Sequence, residues 1–147
     1  MSALTEAPGR VEVPDAPPRQ RGLRPGQREA VRAIAATLFA TDEGPPEAAR
    51  LDWLLDDLDD FVGRAGARAR GLLSLCVAAI TWAAPLRVGR LGPFHALDPA
   101  AQALALERME KGALGLAVFG AKTLLCIVWY EHPVTARAAG YDGRCLR

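Results

Sequence analysis

Lysine is almost missing from this 147-residue chain: of its 18 basic residues only Lys111 and Lys122 are lysines, so arginine carries the positive charge. Histidine is as scarce. His95 and His132 are the only two, and neither sits in an H-E-x-x-H or E-x-x-H spacing that would bring two metal ligands onto one helical face. Glu131 and His132 are adjacent, which on a helix points their side chains apart. The three cysteines, Cys76, Cys126 and Cys145, are odd in number, far apart and form no C-x-x-C. That does not make a disulfide framework, and two of the three lie in apolar runs, where buried thiols in a reduced compartment are expected. No glycine-rich phosphate loop occurs; Gly112, Gly115 and Gly120 read as caps or close-packing positions. Ser74 lies in an apolar run and is expected to bond its own helix rather than act as a nucleophile.

Charge of one sign is not in excess either. The net charge is +1, which leaves no global field to draw the chain onto nucleic acid. No alternating strand pattern is found. The N-terminal stretch has acids and prolines but no apolar segment of the kind an export signal needs, and Arg19 and Arg21 are split by Gln20. The expected location is therefore cytoplasmic.

What is present is apolar and helical: half the residues are hydrophobic, enough for one packed domain at this length. Residues 1–24, interrupted by Pro8, Pro14, Pro17 and Pro18, read as a disordered arm. Residues 25–147 read as a single-domain, all-α bundle of four to five helices. A first helix opens at Pro25 with Val31, Ile34, Ala35 and Leu38 on one stripe. "TDEGPP" breaks the chain, and Pro46 can start a second helix running through residue 70, with Leu51, Leu54, Leu55, Leu58 and Val62 on its inner face. Its aspartates, Asp52, Asp56, Asp59 and Asp60, read as a solvated face, because a straight helix fans carboxylates out where a calcium loop gathers them. Asp60 and Arg64 form a candidate i,i+4 pair.

A third apolar segment spans residues 71–86 and falls short of the ~20 residues that cross a bilayer. A fourth helix starts at Asp98 and Pro99. A fifth runs over about residues 113–131 until Pro133, with Leu114, Val118, Ala121, Leu125 and Val128 on one face. Beyond Pro133 the tail permits one short helical turn, then an Asp-Gly turn.

Lys122 stands alone in the middle of the fifth helix, which makes that helix a poor membrane span. Three placements are open to its amine: reaching water along an apolar stem, pairing with a distant acid such as Glu107 or Glu110, or facing a partner protein. With no acid–base companion beside it, a catalytic role is not supported.

Three stretches in order, "LRPGQREAVRAIAATLF", "FHALDPAAQALALERM" and "AKTLLCIVWYEHPVTARAAGYDGRC", resemble the small (third) subunit family of gluconate 2-dehydrogenase. They are similar also to the helical region that precedes the flavin domain in long-chain alcohol oxidases. The most specific parts are Phe94 with Leu97, and Gly140-Tyr141-Asp142-Gly143. The resemblance implies a non-catalytic accessory subunit, part of a hetero-oligomer, that binds and stabilises a large FAD-dependent flavoprotein of the glucose-methanol-choline type acting on an alcohol, sugar or sterol. FAD and the catalytic residues would belong to that partner, with no cofactor or metal in this chain. Family members often carry a twin-arginine leader; none is seen here, and a periplasmic place beside the partner is the alternative location.

The residues point the same way. Segments 71–86 and 113–130 carry more apolar surface than a small bundle can enclose, and the surplus needs a partner. Trp53, Lys122, Trp129, Tyr130 and Tyr141 are the candidate interface residues, while Trp82 is read as core. The competing reading is a membrane-associated helical protein without a catalytic partner, although membrane contact is not the expectation for the charged fifth helix.

Overall fold

The computed structural model describes residues 22–140, and they fold as the all-α bundle the sequence predicts. Six α-helices follow one another: α1 Pro25–Leu38, α2 Ala48–Ala65, α3 Ala67–Ala83, α4 Pro99–Glu110, α5 Gly115–Glu131 and α6 Pro133–Ala138. Two short 3-10 turns, Pro85–Val88 and Phe94–Ala96, join α3 to α4. Most of the expected arm, the Asp142-Gly143 turn, Tyr141 and Cys145 lie outside the described residues.

Local signals account for most of the boundaries. Pro25 occupies the first turn of α1, and the Gln27 side chain reaches back to accept the Arg24 N–H at 2.9 Å. Asp98 caps α4 by accepting the Ala101 N–H at 2.9 Å, which satisfies one of the orphan donors of the first turn. At the joint between α5 and α6, His132 Nδ1 accepts the Val134 N–H. The packed domain starts slightly before residue 25: Leu23 is buried, and its N–H donates to Asp59 Oδ1 at 2.7 Å.

One boundary differs from the expectation. The second helix stops at Ala65 and not at residue 70, because Gly66 adopts φ +91°. Only glycine takes that conformation without strain, so a single residue turns the chain and residues 67–70 open α3. The start also shifts, to Ala48 rather than Pro46.

The core forms along the predicted stripes. Val31, Ile34 and Ala35 of α1 meet Leu51, Leu54, Leu55, Leu58 and Val62 of α2, all buried. Leu73, Val77 and Ile80 of α3, Met109 of α4, and Val118, Ala121, Leu125 and Val128 of α5 complete it. Each fully buried Leu, Ile or Val contributes about 1.5–3 kcal/mol relative to exposure. Leu114, placed by the sequence with the inner face of the fifth helix, instead stands just before α5 and remains exposed.

A few polar bonds fix how the helices meet. Gln27 Nε2 donates to Ser74 Oγ at 2.7 Å, so Ser74 ties α1 to α3 rather than bonding its own helix. Buried Gln102 accepts from Thr37 Oγ1 at 3.1 Å and donates to the Phe94 carbonyl at 3.2 Å, which locks the fully buried Phe94 turn between α1 and α4.

Candidate functional site

The arrangement of α3 and α5 leaves a broad apolar face uncovered. The two helices pack directly together at Cys76 and Gly120: a Cβ on Gly120 would lie 3.2 Å from the Cys76 Sγ. With that seam and the core turned inward, a second stripe on each helix points out. On α3 and the turn after it the stripe is Leu72, Leu75, Trp82 and Leu86, with half-buried Ala79 between them, spaced alternately by three and four residues. On α5 it is Leu116, Phe119, Thr123, Ile127 and Tyr130. At about 100° per residue both stripes border the Cys76–Gly120 seam on its outer side, so they form one continuous surface.

The exposures are large for such side chains. Leu75 is 68% exposed, Trp82 63%, Leu116 82% and Phe119 64%. Single exposed leucines need no explanation, but eight large apolar residues on two adjoining helices and the turn after α3 make this face the candidate interaction surface. Trp82 is here a correction, since the sequence reading put it in the core. α3 is apolar on every side, so periodicity gives no sign of which face turns outward. Leu72 and Leu75 were missed for the same reason.

The interface residues expected from the sequence separate into three places. Tyr130 is half exposed and ends the α5 stripe. Lys122 flanks that stripe on the side of α4, where its Nζ lies 3.3 Å from Glu110 Oε1. Of the three placements open to it, the structure takes the pairing with a distant acid. Trp53 and Trp129 are half-buried in a different cluster. Tyr141 lies outside the described residues.

That cluster gathers around Arg50. Its guanidinium carbon stands 4.3 Å from the Trp129 ring centroid and 4.8 Å from that of Trp53. Phe39 stacks on Trp129 at 4.2 Å, and His132 meets Trp53 edge-on at 4.5 Å. Arg50 Nη2 donates to the Trp129 carbonyl at 2.8 Å and to Thr135 Oγ1. Nη1 is buried with no acceptor, and the two indole faces supply the attraction that a carboxylate would otherwise give. Burial lowers the Arg50 pKa, and lost hydration followed by the Arg50 charge lowers that of His132. A neutral His132 is also what its hydrogen bond to Val134 requires, since Nδ1 must accept. Trp53 and Trp129 thereby pin the end of α5 and α6 to α2.

Among the described residues no group of three or more His, Cys, Asp or Glu side chains gathers to hold a metal. Cys76 is buried, and that burial raises its thiol pKa, which makes it a weak nucleophile. The aspartate face of α2 is partly matched across helices: Asp56 pairs with Arg28 at 2.6 Å and Asp52 with Arg32, both from α1. Asp60 and Arg64 form the expected i,i+4 pair at 2.5 Å.

No protein-family model, no curated protein and no solved structure matches the chain.

Proposed function

We propose that the chain is a non-catalytic accessory subunit that docks through the α3–α5 apolar face onto a large FAD-dependent oxidoreductase of the glucose-methanol-choline type. In that role it stabilises a partner that oxidises an alcohol, sugar or sterol and holds the FAD. The observation that carries the docking reading is the pair of outward stripes, whose Leu72, Leu75, Trp82, Leu86, Leu116, Phe119, Ile127 and Tyr130 are all exposed. The resemblance of the three sequence stretches to the gluconate 2-dehydrogenase small subunit supports the identity of the partner. Co-expression with a large FAD-dependent oxidoreductase of that type tests the reading: a stable complex containing FAD is expected. A chain that is monodisperse alone and never co-purifies with a flavoprotein contradicts it.

A membrane-associated role is the second reading, favoured by the 22-residue stretch Ala67–Val88, in which an 18-residue window has a mean hydropathy of 1.6. Full release of the protein by carbonate extraction removes it.

A further inference from the structure

The charged side chains on the α3 side of the docking face are arginines, while on the α5 side Lys122 pairs with Glu110 and exposed Glu131 follows Tyr130. Between residues 61 and 97 the sequence has five arginines and no aspartate or glutamate, and between 112 and 130 its only charge is Lys122. These two stretches hold α3, the turn after it and nearly all of α5. Arg68 stands one helical turn before Leu72 and is exposed. At the other end, exposed Arg87 and Arg90 flank Leu86 and Leu91, and Leu91 is 91% exposed. The Arg87 guanidinium comes within 3.5 Å of where a Cβ on Gly112 would lie, which sets it beside the turn into α5. Among the described residues no carboxylate pairs with Arg68, Arg87 or Arg90, whereas Arg28, Arg32 and Arg64 each have one.

The stripe itself has a helix-matching pattern. Leu72, Leu75, Ala79, Trp82 and Leu86 follow the alternating three–four spacing by which one helix receives the side chains of another. A second copy of this chain would present the same arginines to the same arginines, so like charge opposes self-pairing.

We infer that the α3–α5 face receives an acid-flanked apolar helix of a partner protein, with Arg68, Arg87 and Arg90 selecting for carboxylates at its edges. The inference rests on the docking reading above and adds to it the chemistry of the surface that binds. Buried apolar contact supplies the affinity, and the arginine rim supplies orientation, partner choice and a faster encounter.

A charge-swapped copy of the chain is itself an apolar, acid-flanked helical surface and serves as the probe. The variant carries Arg68→Glu, Arg87→Glu and Arg90→Glu, and circular dichroism checks that it folds. Mixed with the unaltered chain at about 50 mM salt, it should associate at least about tenfold more tightly than either chain does with itself, and salt of about 0.5 M should weaken the pair. Adding Leu75→Glu and Phe119→Glu to the unaltered chain should abolish the association. A mixed pair no tighter than the self-pairs overturns the inference. So does binding of the unaltered chain to phosphatidylcholine vesicles containing about 30% phosphatidylglycerol while the mixed pair fails to form, since the arginines then serve a lipid surface. Co-purification with the flavoprotein is read independently: if it persists when the three arginines are reversed, the docking reading stands and the charge selection alone falls.

Discussion

The two sides of this bundle treat the same residue types in opposite ways. Where α1 meets α2, the leucines are buried and arginines face aspartates, as in Arg28 with Asp56 and Arg32 with Asp52. On α3 and α5, leucines stand in water and Arg68, Arg87 and Arg90 have no acid beside them among the described residues. Composition therefore does not separate the two sides; what separates them is whether each group's complement is supplied within the chain. The first side is finished by folding, and the second is not.

Truncations on the two sides should differ most. Leu54→Ala on the finished side removes a fully buried side chain and is expected to cost about 2–5 kcal/mol, read as a fall in the denaturant midpoint. Leu75→Ala on the open side should change stability by no more than about 0.5 kcal/mol. Equal losses at the two positions would erase the contrast. Trp129→Ala should come next, at about 3 kcal/mol, because it removes the ring stacked on Phe39 and the indole facing Arg50 together. Its chemical-denaturation midpoint should fall further than that of Trp82→Ala.

Acid should act on the Arg50 cluster. His132 has a lowered pKa when folded, so the unfolded chain binds more protons there. Its contribution is present above the ordinary imidazole value of about 6.5 and is lost as pH falls through the lowered folded-state value. Thermal melts at pH 5 and pH 7 should show this loss, and His132→Gln should shrink the difference between them. The smallest effect is expected from Arg32 and Asp52: a double-mutant cycle should give under about 1 kcal/mol, because both side chains are well exposed.

How much of this was legible in the sequence follows from periodicity. In α1 and α2 the apolar residues recur on one face, so their buried sets were readable, and the Asp98 cap and Pro25 start announced themselves locally. In α3 almost every position is apolar, so the inner stripe of Leu73, Val77 and Ile80 and the outer stripe of Leu75 and Trp82 look alike until packing separates them. That ambiguity put Trp82 inside. The cluster that holds Trp53 and Trp129 was illegible for another reason: Arg50, 79 positions from Trp129, draws them together, and sequence spacing carries no trace of so distant a contact. Gly66 was visible as a glycine but not as a turn, since its positive φ depends on how α3 packs.

The most direct measurement compares the unaltered chain with a Leu75→Glu, Phe119→Glu variant, each co-expressed with a flavoprotein of the proposed type and recovered by an affinity tag on that protein. If the α3–α5 face is the docking surface, the unaltered chain is recovered with the flavoprotein and the variant is lost, while both melt at the same temperature in isolation. Recovery of the variant in equal amount would contradict the account.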